Sequence, residues 1–523
     1  MFSVLRHHGA ILLPVLLMVI GRSTLLAQEG PAGAQQTRAQ QLPISGRQVE
    51  QSGSVSAQQS TVGGTGTSVN VSTTNIQVRG NYQGSVPAGE QPVTGGAITL
   101  EQTLKMGLQY NLGTVSSSAS LRQVRGQRLS ALSQLLPTVN AIASETGAKT
   151  DLETIGLSSS SFGGGKPLPG FSIPVTVGPY HYYDARASLN FNALDLTALH
   201  NYRSAKEVER AAELSDVDAR ELVVLAVGGE YLRVLADEAL VEAQVAQVRY
   251  AQSSYDQAVA QNQAGTKSDV DTKRSQVELQ TEQQRLTSQR ADLVKEKRTL
   301  ARMIGLHLDA DIVPVEKLTF TPVPPLPIEA ALMQALSSRA DLKSAAAQLR
   351  ASEEALKAAH SERLPMINVN GYLAVEGVNP NAGNGVFSAT ASVNIPIFEG
   401  GRIKADEQQA RAAIDQRRAE YQDQEGVVEL EVRNAYTDLQ TAANQVQVAE
   451  SNRTLALETL QQSQDRFVAG VATSVEVVQS QESLAAADRD YVSSLYAHNL
   501  TKIALARAIG QAETSIPQFL KGQ

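Results

Sequence analysis

The chain has 523 residues, no Cys, no Trp, 4% aromatic residues and a formal net charge of -8. Zero Cys excludes a disulfide framework, thiolate metal sites, a Cys nucleophile and a lipid-modified N-terminal Cys, and the acidic balance opposes nucleic acid as a partner. With 9 Phe and 14 Tyr there is little material for several large aromatic cores, so the composition points to an elongated Ala/Gln/Val/Leu-rich scaffold or conduit rather than an enzyme.

Residues 1–27 read as a secretory signal peptide. Arg6, His7 and His8 precede an apolar run over residues 11–20 that only Pro14 interrupts, and cleavage fits after Ala27. The run is too short to span a bilayer, and Arg22 closes it. The mature protein is therefore expected outside the cytoplasm. Residues 28–96 are rich in Gln, Ser, Gly and Thr. They form a low-complexity, largely disordered leader, because so little apolar surface cannot offset the entropy of ordering. A short alternating patch at Val69, Val71, Ile76 and Val78 suits local pairing.

The rest is written twice. Glu101-Gln-Thr-Leu104 matches Glu329-Ala-Ala-Leu332, and Leu136-Pro137 matches Leu364-Pro365, both at an offset of 228. Further on, Tyr231 matches Tyr436, Gly265 matches Gly470, and Leu300-Ala-Arg-Met-Ile-Gly305 matches Leu505-Ala-Arg-Ala-Ile-Gly510, all at 205. The first copy, residues 98–305, holds a Ser/Gly/Pro-rich loop insertion at about 149–180. A Pro-rich linker, 306–327, leads to the second copy, 328–510, and a tail, 511–523.

Each copy starts with a short helical segment that stops at its Leu-Pro, since Pro removes a helix donor and biases its predecessor toward extended geometry. Period-2 segments follow. Ala185, Ala187, Leu189 and Phe191 alternate with polar residues, as do Phe387, Ala389, Ala391, Val393, Ile395 and Ile397. Val139, Ala141 and Ala143, and Ile367, Val369, Leu373 and Val375, supply partners. The spacing predicts two hairpins, four strands of about ten residues each. The period then changes to alternating 4 and 3. Val227, Tyr231, Val234, Val241, Val245, Val248, Tyr255 and Val259 form a coiled-coil seam in a helix over residues 199–262, repeated by Val432, Tyr436, Leu439, Ala443 and Val446. Gly265 and Gly470 end the long helices, and shorter partners run to Gly305 and Gly510.

The strands have one apolar and one small polar face, which suits a soluble sheet or lipid-facing strands. The flanking helices leave no compact core to cover. Four strands cannot close a membrane barrel, and open edges are not tolerated in lipid, so several chains must share one barrel. Tyr180, Tyr182, Tyr183 and Phe387 cluster near strand starts as an aromatic girdle would.

The paired copies, the two Leu-Pro steps, the Pro396-Ile-Phe-Glu-Gly400-Gly401 strand-to-helix junction, and Arg466-Phe-Val-Ala-Gly470 followed by Thr473 and Glu476 together resemble the TolC-like outer-membrane efflux proteins, over residues 98–510. The resemblance implies an α+β membrane protein: a homotrimeric 12-stranded β-barrel, four strands per chain, in outer-membrane lipid, continuous with a coiled-coil α-helical periplasmic tunnel. It implies an exit duct of a tripartite efflux or type I secretion system. A periplasmic adaptor and an inner-membrane pump of RND, ABC or MFS type would be its partners. No cofactor, no metal, no catalytic residue and no lipid anchor are expected. The first copy departs at the junction, where Ala193-Leu-Asp-Leu196 lacks the glycines.

The two glycine turns are the functional candidates. Asp271 and Glu476 stand six residues after Gly265 and Gly470, with Ser268 and Thr473 three residues before each acid. Ser268-x-x-Asp271 and Thr473-x-x-Glu476 are capping-box patterns, which alone account for the residue types. In a trimer, the acids of every copy would also gather near one axis as an acidic entrance ring that favours cations. The resemblance places a closed entrance here, which some members lock with Tyr and Arg; those positions are Phe467 and Ala472, and Lys267 is the substitute. The hairpin tips Gly265, Thr266, Lys267, Ser268, Gly470, Val471, Ala472, Thr473 and Ser474, most of them small, are expected to dock the adaptor.

His181, His200, His307, His360 and His498 lack ligand spacing and are expected at solvent or interfaces. Gly163-Gly-Gly-Lys166 lacks the first glycine and the hydroxyl of a phosphate loop. A secreted or periplasmic trimeric coiled-coil scaffold or adhesin is the alternative reading.

Overall fold

The structure is a computed structural model that describes residues 55–60, 73–78, 80–86, 96–155, 174–266, 268–322, 327–378 and 380–513. The signal-peptide reading, the middle of the loop insertion, Lys267 and the end of the tail lie outside these residues.

The elements open with the antiparallel pair β1 (Val55–Ser60) and β2 (Thr73–Val78), then β3 (Gly96–Ile98). Helices α1 (Leu100–Tyr110) and α2 (Leu112–Ser133) lead into β4 (Thr138–Asp151) and β5 (Thr176–Leu194). Two long helices follow, α3 (Leu196–Gln263) and α4 (Asp269–Ile304), then β6 (Ile312–Pro314). The second series is α5 (Ile328–Ser338), α6 (Ala340–Ser361), β7 (Met366–Gly377), β8 (Asn384–Asn394), α7 (Arg402–Val468) and α8 (Ser474–Ala508). Helices α1 and α5 begin and end 228 positions apart, as do α2 and α6. Corresponding ends of α3 and α7, and of α4 and α8, lie within one residue of the 205 offset. No described helix is long and apolar enough to cross a membrane.

Residues 131–202 and 355–408 belong to one compact unit, which holds the sheet. Its order is β4-β5-β7-β8, antiparallel throughout. The register lines up Ala141, Ala187, Leu373 and Phe387 across the four strands, and Asn140, Ser188, Tyr372 and Ser388 in the next row. Side chains alternate between faces, so one face is apolar from edge to edge and the other is polar. The polar face is cross-linked: Asn368 Nδ2 donates to Asn192 Oδ1 at 2.7 Å, and the Arg186 guanidinium pairs with Asp184 and Glu376. The apolar face is exposed, Leu373 by 70% and Phe387 by 78%. The strands have 11 to 19 residues rather than about ten. The β4–β5 ladder continues through Tyr180, His181, Tyr182 and Tyr183, whose alternation is weak but whose aromatic side chains suit a pleated surface.

Residues 41–130, 203–354 and 409–523 belong to a second unit. Its main core joins Leu222, Val223, Leu225, Val227, Tyr231 and Val234 of α3 to Leu300, Met303 and Ile304 of α4 and Ile503 and Ala506 of α8. A second cluster joins Ala331 and Ala335 of α5 to Val428 and Val432 of α7 and Leu505 of α8. Of the seam residues on α3, Val227, Tyr231 and Val234 are fully buried, whereas Val241, Val245, Val248, Tyr255 and Val259 are half-buried.

Within the leader over residues 28–96, Ile76 and Val78 of the alternating patch lie on β2, which pairs with β1, and Val78 and Tyr82 enter the main core. The linker over residues 306–327 contributes β6, which pairs in parallel with β3 and buries Ile312. Two readings are corrected. Each helical start is two helices, broken at Asn111 and Arg339. His498 is buried, with its ring 4.8 Å from that of Phe320. The helix breaks and the burial of His498 depend on contacts between residues far apart in sequence, which no local period reports.

Candidate functional site at the helix tips

Helices α3 and α7 end in the same way. Gly265 has φ 74 and Gly470 φ 76. Thr266 N–H donates to Gln261 O at 2.9 Å and Gly265 N–H to Asn262 O at 2.9 Å. Val471 N–H donates to Arg466 O at 3.0 Å and Gly470 N–H to Phe467 O at 3.1 Å. This is the Schellman stop, in which a left-handed residue turns the chain and satisfies the last carbonyls. An added Cβ would meet nothing within 4 Å at either glycine, so the requirement is backbone conformation and not space.

The capping-box expectation divides. Thr473 Oγ1 accepts from Glu476 N–H at 3.4 Å, but the Glu476 carboxylate turns to Arg466, 2.7 Å away at Nη1. Ser268 makes no side-chain cap; its hydroxyl donates instead to Asp271 Oδ2 at 3.2 Å. Asp271 Oδ1 accepts from Ser474 Oγ at 3.0 Å, and Arg274 Nη1 lies 3.3 Å from that hydroxyl and 3.6 Å from Asp271 Oδ1. The start of α4 and the start of α8 are therefore stapled side by side, joining residues 203 apart in sequence. Asp269 pairs with Lys273 Nζ at 2.7 Å. The Asp269–Lys273 and Arg466–Glu476 pairs are exposed to solvent and contribute little to stability, so their main effect is on local charge.

Phe467 is buried against Leu460, Val477 and Leu484, with Ala472 beside it, so both positions are packing residues. Val270, Val468 and Val471 are each more than half exposed. Arg274 and Arg466 are the site residues that sequence reasoning missed. Arg274 carried a signal, being three residues after Asp271 on a helix. Arg466 meets Glu476 only because the Gly470 turn folds α7 back onto α8.

Pro396, Gly400 and Gly401 belong to the other unit. There Gly400 (φ 61) and Gly401 (φ 89) turn the chain between β8 and α7, and Arg402 pairs with Glu399, Glu362 and Asp406. Ile397 and Phe398 are almost fully exposed beside them. The first copy needs no glycines because β5 passes directly into α3 through Asp195, whose Oδ1 accepts from Ala198 N–H at 2.8 Å.

The family model described as "Outer membrane efflux protein" matches residues 331–511. The probable outer membrane lipoprotein SilC of Salmonella typhimurium is 22% identical over 347 residues, covering 63% of this chain and 72% of that protein. The toluene efflux pump outer membrane protein TtgF of Pseudomonas putida is 21% identical over 345 residues, 63% of this chain and 69% of that protein. Among solved structures, the outer membrane protein VceC from Vibrio cholerae superposes with a TM-score of 0.66 at 18% identity, covering 79% of this chain and 96% of its own. The Campylobacter jejuni CmeC outer membrane channel gives a TM-score of 0.67 at 16% identity, covering 87% and 97%.

Proposed function

We infer from its standing as a TolC-like outer-membrane efflux protein that this chain is the passive exit duct through which an inner-membrane pump, reached through a periplasmic adaptor, discharges to the outside. The observation that carries this is the exposed apolar face of the sheet, bounded by the edge strands β4 and β8, each paired on one side only. A soluble protein buries such a face, and lipid tolerates no open edge. Three copies pairing β8 of one chain with β4 of the next close a 12-stranded barrel whose apolar side meets lipid and whose polar side, with Asn140, Ser188 and Ser388, meets water. With no Cys to acylate, the barrel itself holds the protein in the outer membrane.

The helix tips then form the periplasmic entrance. Asp271 and Glu476 line it, and the rim of Gly265, Thr266, Ser268, Gly470, Val471, Ala472, Thr473 and Ser474 meets the adaptor, with exposed Val471 as its apolar contact. Lys267 belongs to the same turn in sequence. The chemistry of the cargo is set by the pump, which the duct does not choose.

The absence of cysteine makes the test clean. Single cysteines along β4 combined with single cysteines along β8 should give disulfide-linked trimers in the outer-membrane fraction, and these should be heat-modifiable on gels. Recovery as a soluble monomer without interchain crosslinks overturns the reading and favours a periplasmic scaffold.

A further inference from the structure

We propose that the entrance is charge-compensated rather than acidic, with Arg274 and Arg466 the residues that set its ion preference. This rests on the exit-duct reading. An acid ring favours cations because its carboxylates stand unneutralised around the pore. Here each acid has a guanidinium of its own chain beside it, Arg466 at 2.7 Å from Glu476 and Arg274 at 3.6 Å from Asp271.

The surrounding turns contain matching charges. Residues 265–276 and 465–476 hold Asp269, Asp271, Asp465 and Glu476 against Lys267, Lys273, Arg274 and Arg466. At physiological salt, fields die away over about 8 Å, and opposite charges within 4 Å cancel well inside that distance. A passing ion meets a collar of dipoles and not a net negative ring.

The two arginines differ in what else they do. Arg466 neutralises Glu476 across the Gly470 turn. Arg274 neutralises Asp271 and also donates to the Ser474 hydroxyl that bridges the two tips. Removing Arg466 therefore exposes one acid per chain with little structural cost, since the pair is half-exposed on the arginine side. Removing Arg274 exposes an acid and weakens the staple together. Arg466 is therefore the cleaner test of charge.

The experiment is the reversal potential of the full-length protein in planar bilayers under a potassium chloride gradient. The unsubstituted duct should show weak ion preference. Arg466→Gln should shift the potassium-to-chloride permeability ratio toward cations by at least about twofold, and Glu476→Gln toward anions by a similar factor. The double variant should return to the starting value. Strong cation preference in the unsubstituted protein, or a ratio unmoved by Arg466→Gln, overturns compensation. Absence of interchain β4–β8 crosslinks in the unsubstituted background refutes the duct reading itself, independently of the permeability ratios.

Discussion

Asn111 and Arg339 stand 228 positions apart at the same break between two helices, and both are buried to within 1% exposure. The neutral one holds its kink with an amide. Asn111 Nδ2 donates to Tyr82 O at 2.7 Å and Met303 O at 3.2 Å, and its Oδ1 accepts from Gly113 N–H at 2.9 Å. The charged one uses a guanidinium. Arg339 pairs with Asp341, the counterpart of Gly113, and with Glu431, while Arg507 binds Glu431 at 3.1 Å and Asp218 at 2.9 Å. One backbone event is thus stabilised by two chemistries.

The two kinks should differ in sensitivity. Asn111→Ala leaves buried carbonyls short of donors, at a cost of about 1–3 kcal/mol. Arg339→Gln leaves Asp341 and Glu431 to share Arg507 alone, and breaking a buried ion pair typically costs about 3–5 kcal/mol. Denaturant titrations followed by helical circular dichroism should rank Arg339→Gln as the more damaging; the reverse ranking would refute the assignment.

The same network makes stability depend on pH. Burial pushes Asp218 up to about 6 and Glu221 to about 7, against the pull of Arg507 in both cases. Their raised values mean that the folded state holds these protons more tightly than the unfolded chain. That contribution is fully present below the ordinary carboxylate values of 3.8 and 4.5 and is lost progressively as pH rises to about 6 for Asp218 and about 7 for Glu221. Asp341 is pushed up by burial, but Arg339 overrides this and holds it low, so its own opposite contribution changes only in stronger acid. Melting temperatures at pH 5 and pH 8 should differ less in Asp218→Asn/Glu221→Gln than in the unsubstituted protein.

At the tips, the glycines should be limited by φ and not by space. Gly470→Ala, forced to a left-handed conformation, costs about 1–2 kcal/mol, and Gly470→Asn should cost less because Asn tolerates that region. Limited proteolysis at the turn measures this, with Gly470→Ala cut faster than Gly470→Asn.

On the sheet, the face should decide tolerance. Phe387→Arg puts a charge on the apolar face, worth about 2–4 kcal/mol at a bilayer midplane, whereas Ser388→Arg, one position on, points to the polar face. Yield of outer-membrane trimer should fall for Phe387→Arg and hold for Ser388→Arg; equal yields would contradict a lipid-facing Phe387.

Features written in local chemistry were legible in the chain itself. The doubled order of elements, the Leu-Pro stops at 136–137 and 364–365, the alternation around Leu373 and Phe387, and the turns at Gly265 and Gly470 each arise from a period or a φ requirement spanning a few residues. Tertiary structure alone decided where those elements were interrupted and neutralised. The local bonds of Asn111 to Gly113 and of Arg339 to Asp341 mark each break only weakly, because the partners that fix it, Met303 and Glu431, lie far along the chain. Tyr82 becomes core only when α4 and α8 arrive to cover it. The acids at the tips could be counted in the sequence, but their neutralisation depends on a folded hairpin that brings Arg466 to Glu476 and Arg274 to Ser474. Backbone preference is a property of a residue and its neighbours, whereas charge pairing is a property of distance, and distance is set by the fold.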